Sequence, residues 1–193
     1  MTDDTPPSDS DLAVRAQNGD KRAFEGLVQR YKGPLFRFVR RSIGNDDDAY
    51  DILQDSFVSA WMALGRFDRS KSFATWLRAI ALNKCRDYGR RQSVRRRFLR
   101  LIGTWDTDVA APNEALLEQE EELRETARLS QIDRAIANLP AFYKEPLLLT
   151  TVSGLSQQEA AHQLKTTTKA IQMRIRRARK KLMDVLASPK KDP

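Results

Sequence analysis

Between Ala49 and Leu64 apolar side chains recur at spacings of three and four: Ala49, Tyr50, Leu53, Phe57, Ala60, Trp61 and Leu64. That period places them on one stripe of a helix and predicts that the stripe is buried. The opposite stripe carries Asp51, Gln54, Asp55, Val58 and Met62. Carboxylates set beside apolar side chains make an odd solvent face. A docking surface would explain it, and so would scattered exposed apolar residues, which are ordinary on soluble proteins. On this helix alone the two readings balance.

The following segment, RFDRSKSFATWLRAIALNKCRDYGRRQSVRRR, tips the balance. Phe67, Lys71, Ser72, Phe73 and Trp76 fall in a short turn and the start of a second helix. Rings beside cations are what unpaired DNA requires, faces for bases to stack on and charge to hold the backbone. From Lys84 to Arg100 the basic residues are Lys84, Arg86, Arg90, Arg91, Arg95, Arg96, Arg97 and Arg100, against the single acid Asp87. Such a density points to phosphate. Core packing is the competing reading for the aromatics; it holds for at least one of Phe73 and Trp76 and for the Leu77, Ile80 and Ala81 face. It does not account for Asn83, Lys84, Arg86 and Asp87.

The order of DILQDSFVSAW, FDRSKSF and TWLRAIALNKCRDYGRR resembles the second conserved region of bacterial RNA polymerase sigma factors, in particular the small extracytoplasmic-function group of the sigma-70 family. The resemblance implies that Asp51, Gln54, Asp55, Val58 and Met62 bind the clamp coiled coil of core RNA polymerase. It implies that Phe67, Lys71, Ser72, Phe73, Trp76, Asn83, Lys84, Arg86, Asp87, Arg90 and Arg91 melt the minus-ten promoter element and hold its non-template strand.

The formal charge of +8 favours a polyanionic partner, without itself choosing nucleic acid over a membrane surface. No apolar run approaches the ~20 residues of a membrane helix, and the acidic start MTDDTPPSDSDL is unlike a signal peptide, so the chain is expected in the cytoplasm. One cysteine, Cys85, and one histidine, His162, leave little for disulfides, zinc or histidine catalysis. Cys85 reads as a buried structural thiol before a redox sensor. The carboxylates Asp46, Asp47, Asp48, Asp51 and Asp55 invite a metal reading, but they lack a calcium-loop pattern, and acids at a helix start are dipole partners. No metal or cofactor is expected.

In order, residues 1–9 read as a disordered tail, with Asp9 or Ser10 capping a short helix that ends at Gly19. A long helix follows with Phe24, Leu27, Val28, Tyr31, Leu35, Phe38 and Val39 inward and a kink at Gly33-Pro34. Residues 98–113 lose periodicity and read as a flexible linker between a first domain, 10–97, and a second, 114–187. A short tail, 188–193, closes the chain. In the linker Asp106 and Asp108 are compatible with mimicking RNA near the polymerase active centre, as the resemblance implies. The second domain opens on an acidic amphipathic helix, then a helix from Pro140 that Pro146 bends or delays.

Ser156 and Glu159 form a capping box ahead of Ala160, Ala161 and Leu164, and a KTTT turn leads to KAIQMRIRRARKKLMDVL. Ile171, Ile175, Ala178, Leu182 and Val185 mark the buried stripe. This is a helix-turn-helix pattern whose second helix has no acid before Asp184. It is similar to the fourth sigma region, which binds the minus-thirty-five element. That resemblance puts Gln172, Met173, Arg176 and Arg177 on base edges, Thr167 and Thr168 near phosphate at the helix start, and Lys169, Arg174 and Arg179 among the supporting cations. Lys165 departs from the pattern, since the turn usually has glycine there and a left-handed residue with a side chain costs ~1 kcal/mol, so the pattern sets the helix and leaves the turn geometry open.

The expected fold is therefore all-α, two small helical domains joined by a flexible linker, the C-terminal one a helix-turn-helix. The expected function is an alternative-type sigma factor with no chemistry of its own, serving a stress-response regulon and held in check by an anti-sigma factor. A stand-alone regulator that binds duplex DNA without polymerase would explain the helix-turn-helix but not the Asp51 to Met62 face. A nucleic-acid enzyme fails for lack of a nucleotide loop, metal cluster or activated nucleophile.

Overall fold

A computed structural model describes residues 7–101 and 131–187, side chains of 96–101 excepted. Among the described residues every regular element is a helix: α1 (Asp9–Gln17), α2 (Lys21–Ile43), α3 (Asp46–Ala63), a 3-10 turn at Leu64–Arg66, α4 (Phe73–Leu101), α5 (131–137), α6 (Ala141–Thr151), α7 (Gln157–Gln163) and α8 (Thr168–Ala187). The all-α expectation holds.

Helix starts follow local chemistry. Ser8 caps α1, its hydroxyl accepting from Asp11 N and its own N–H donating to the Asp11 carboxylate. The cap therefore lies before Asp9, not at Asp9 or Ser10, and the end of the expected tail is tied down, because Asp9 also accepts from Arg30 and Tyr31 of α2. Asp20 and Asn45 cap α2 and α3, each accepting from a backbone N–H three residues on. Helix α2 runs unbroken through Gly33-Pro34 and stops at Gly44, whose φ of 79° suits a residue without a side chain.

Helices α2, α3 and α4 pack through Leu27, Phe38, Val39, Leu53, Phe57, Leu77 and Leu82, with Leu12 and Ala13 of α1 closing one end. Ala49, Ser56, Ala60 and Ala81 are wholly buried, and their small size lets the helix axes approach. The stripe expected on α3 is rotated by a fraction of a turn. Ile52 and Ser56 are buried, whereas Tyr50 and Trp61 are 56% and 38% exposed and lie tilted against Phe36 and Phe24 at 4.6 and 4.9 Å between ring centroids. An aromatic ring at the margin of a helix interface covers apolar surface with one face and leaves the other wet.

Helix α4 continues to Leu101, so its backbone overruns the start of the expected linker at 98. The rest of that linker, with Trp105, Asp106 and Asp108, and the acidic first half of the next helix lie outside the described residues. In the second unit Leu147, Leu148, Leu149, Ala160, Ile171, Ile175 and Ala178 form the core. Helix α6 begins at Ala141 despite Pro146, which is itself buried; the hydroxyls of Thr150 and Thr151 donate back to the Pro146 and Leu147 carbonyls. Val185, expected inside, is 60% exposed, because the buried stripe of α8 ends at Ala178 with Leu182 half-buried.

Lys165 adopts φ 50°, the one positive φ outside glycine among the described residues. Substitution Lys165→Gly should raise stability in urea unfolding by about 1 kcal/mol, and Lys165→Val should lower it, since a β-branched side chain tolerates that region least.

Candidate nucleic-acid interface

Three surfaces carry the residues singled out from sequence. On α3 the exposed face holds Asp51, Gln54, Asp55, Val58 and Met62, as the periodicity predicts, and Val58 and Met62 are 58% and 81% exposed. Tyr50 extends the apolar part of this face. Asp55 is engaged across the groove to α4, 3.9 Å from Lys84 Nζ. The docking face and the basic helix therefore meet at one ion pair.

The second surface is the turn between α3 and α4. Phe67 and Phe73 are 6% and 3% exposed and pack on each other and on Trp76 with centroids 5.0 to 5.7 Å apart, and Tyr31 of α2 joins Phe73 at 5.7 Å. The structure thus buries Phe67 and Phe73, both expected to meet bases, among other rings. What the cluster holds up is the exposed loop Asp68–Ser72, where Lys71 and Ser72 stand in solvent. Asp68 folds the loop by accepting from the N–H and hydroxyl of Ser70, and those two hydrogen bonds hold its carboxyl below the usual range. Ser72 heads α4, its hydroxyl 3.5 Å from Thr75 N.

Sequence reasoning passed over Gln17, which fixes this loop from α1. Its amide donates to the carbonyls of Leu64 and Phe67, both at 2.9 Å, and accepts from Arg69 Nε at 2.5 Å. No periodicity announces such a contact across 47 to 52 residues. The Asp68 turn, by contrast, could have been read from an Asp two residues ahead of a Ser.

Helix α4 turns Asn83, Lys84, Arg86, Asp87, Arg90 and Arg91 away from the core, fully or in part. Arg86 is committed: its Nε and NH2 donate to the two Glu145 oxygens of α6 at 2.7 and 2.6 Å, an arrangement that holds its pKa above the usual guanidinium value. Asp87 pairs with Arg90 one turn on. Arg78, not singled out from sequence, is half-buried on the same helix. Burial lowers its pKa, with Tyr31 and Glu159 within electrostatic reach. Cys85 is buried, and desolvation pushes its thiol up to about 11, which suits a structural residue and not a thiolate sensor.

The third surface is α8. Lys169, Gln172, Met173, Arg176, Arg177 and Arg179 are exposed, opposite buried Ile171, Ile175 and Ala178. Gln172, Arg176 and Arg179 line one groove with Thr150, Thr151 and Gln157. Thr167 caps the helix, accepting from Ala170 N, and Thr168 is half-buried at its first position. Arg174 departs from the expected pattern: its guanidinium lies 3.8 Å over the Phe142 ring and reaches the Thr166 hydroxyl, so it braces the turn instead of facing outward. His162 is exposed.

Two family models match the parts of the chain that carry these surfaces. The family described as Sigma-70 region 2 matches residues 27–95, and that described as Sigma-70, region 4 matches 129–182. The chain is 39% identical over 188 residues to RNA polymerase sigma factor NccH of Alcaligenes xylosoxydans xylosoxydans, covering 97% of this chain and 98% of that one. It is 38% identical over 186 residues to RNA polymerase sigma factor CnrH of Cupriavidus metallidurans, covering 93% and 96%. The solved structure of CnrH with the cytosolic domain of CnrY superposes with a TM-score of 0.66 over 93% of this chain and 97% of that one. An ECF RNA polymerase sigma-E factor of Haemophilus influenzae is 30% identical over 181 residues, covering 89% and 92%.

If Gln17 fixes the loop, Gln17→Ala leaves two carbonyls and Arg69 without its amide. Amide exchange should accelerate on the order of tenfold across Phe67–Lys71, with about 1 kcal/mol lost overall, while exchange in α8 stays unchanged.

Proposed function

The chain belongs to the sigma-70 family of RNA polymerase sigma factors, in its extracytoplasmic-function group, and on that premise we propose how its three surfaces divide the work of promoter opening. The α3 face of Asp51, Gln54, Asp55, Val58 and Met62 docks on core RNA polymerase. The Asp68–Ser72 loop and Trp76 contact melted minus-ten DNA. Asn83, Lys84, Arg86, Arg90 and Arg91 hold its backbone. Gln172, Met173, Arg176 and Arg177 read the minus-thirty-five duplex, with Lys169 and Arg179 on phosphate. The protein performs no covalent chemistry; it works in the cytoplasm as an initiation factor for a stress-response regulon.

The observation that carries this reading is the solvent exposure of Val58 and Met62 beside Asp51 and Asp55 on a helix whose other face is fully packed. A factor that read only duplex DNA would have no use for that face, and the relatives are sigma factors over nearly their whole length, so the stand-alone regulator is set aside. CnrH was solved with the cytosolic domain of CnrY, which supports an analogous anti-sigma partner here. Among the described residues no helix is long and apolar enough to cross a membrane.

Each DNA surface is modest by itself. Joined in one chain and spaced by polymerase, they gain through effective concentration. Free protein should bind promoters weakly, whereas holoenzyme should bind tightly.

Co-elution with bacterial core polymerase tests the docking face. Wild type should bind core and start transcripts at discrete sites on genomic fragments; an Asp55→Arg, Val58→Glu double substitution should lose both. Wild type that ignores core yet shifts duplex DNA would sink the reading. Promoter affinity should fall with salt at a log–log slope of roughly −5 to −7, as expected for six to eight neutralised phosphates, and a flat response would count against the cation assignments.

A further inference from the structure

Neither polymerase docking nor duplex reading makes use of the last residue of α1. Gln17 is half-buried and lies ahead of residues 27–95, the part of the chain matched by Sigma-70 region 2. Its backbone is well fixed: Ala13 and Ala16 of the same helix are buried, and the Arg15–Asp20 pair at 2.8 Å clasps the end of α1 to the residue that caps α2. From there the Gln17 amide nitrogen donates to the carbonyls of Leu64 and Phe67. Two acceptors on one side settle which end of the amide is nitrogen, because a flipped group would set oxygen against oxygen. The Gln17 oxygen is therefore left for Arg69, whose Nε donates to it at 2.5 Å.

A guanidinium gripped at Nε still has two terminal nitrogens to offer, and among the described residues neither of those of Arg69 meets an acceptor. The grip leaves the charge intact as well. Glutamine is neutral, whereas a carboxylate in its place would hold the guanidinium and cancel it. The loop's other cation is compensated: Lys71 Nζ stands 3.6 Å from the Asp68 carboxylate. Arg69 is exposed and pairs with no carboxylate among the described residues, yet its direction is set from a different helix. Two parallel N–H groups on one planar cation fit the two free oxygens of a phosphodiester. A side chain aimed beforehand also loses less conformational freedom when it grips.

Given the assignment of the Asp68–Ser72 loop to melted DNA, we propose that Arg69 holds a backbone phosphate of the melted minus-ten strand through its two terminal nitrogens, and that Gln17 is the positioning residue that aims it. Arg69 touches the strand; Gln17 acts through Arg69. Neither was singled out from sequence, since an Arg in a short polar loop and a Gln at a helix end both look like ordinary surface.

The test uses holoenzyme assembled from full-length protein and bacterial core polymerase, with assembly scored by co-elution. The probe is a fluorescent single strand carrying the non-template sequence upstream of a start site mapped on genomic fragments. Arg69→Ala should co-elute as wild type does, weaken strand binding on the order of fivefold, and make the log–log salt slope shallower by about 0.7, the share of one phosphate on a single strand. Arg69→Lys, with the charge but no fork, should keep the slope and lose about twofold in affinity. Gln17→Ala should weaken binding about threefold in the wild-type chain, but change it by less than about 1.5-fold once residue 69 is alanine. Equal losses in both backgrounds would overturn the aiming role, because support of the loop alone does not depend on Arg69. An Arg69→Ala holoenzyme with wild-type affinity and slope would overturn the phosphate contact, and so would loss of core binding in that variant, which would move Arg69 to the polymerase interface. If wild type itself ignores core, the initiation-factor reading fails separately. The same variants are then titrated as free chain with a mixed-sequence single strand, and an unchanged slope in Arg69→Ala would again overturn the contact.

Discussion

One helix, α4, has to satisfy a dry core and a polyanion with a single rotation about its axis. The core decides. Burying Leu77 and Leu82 contributes about 1.5–3 kcal/mol each, whereas an exposed pair such as Lys84–Asp55 contributes at most about 1 kcal/mol. Leu77, Ala81, Leu82 and Cys85 are therefore buried, and the residues beside them, Asn83, Lys84, Arg86 and Asp87, are carried outward by the helical period. Ala81 has no exposed surface, and a larger side chain there would push α4 away from its partners. Apolar packing thus aims the cations without any of them contributing much to stability.

The same division governs the loop ahead of α4. Polar side chains on a short loop lose conformational freedom when they grip a ligand, and that loss is smaller if the loop is already fixed. Phe67 and Phe73 fix it from below by burying their rings, and Gln17 fixes its carbonyls from the side. Aromatic residues first read as contacts for bases thus act one layer back. Their rings fill space beneath the loop while Lys71 and Ser72 stay at the surface.

Features that repeat along the chain were legible in the sequence. The exposed α3 face, the Ser156–Glu159 capping box and the Ile171, Ile175 and Ala178 stripe each depend on neighbours within a few residues, and each is where the pattern put it. Errors arose at margins, where periodicity cannot say how far a stripe extends: Tyr50, Trp61 and Val185 were placed inside and are exposed. Contacts between distant residues left no trace at all. Gln17 with Phe67, Arg86 with Glu145 and Lys144 with Ser42 are separated by 50, 59 and 102 residues, and a lone polar residue at each position looks like ordinary surface. The contact of Arg174 with the Phe142 ring of another helix was hidden for the same reason.

Arg86 ties these observations together because the helical period carries it outward on α4, yet a residue of another helix holds it. Glu145 is nearly buried while Arg86 is more than a third exposed, so the carboxylate gives up more solvation than the guanidinium in making their pair. Lys144 serves helix ends in both units, its ammonium donating to the carbonyls of Ser42 in α2 and Ala137 in α5. The seam is therefore held by several polar contacts shared among α2, α4, α5 and α6, and not by one side chain.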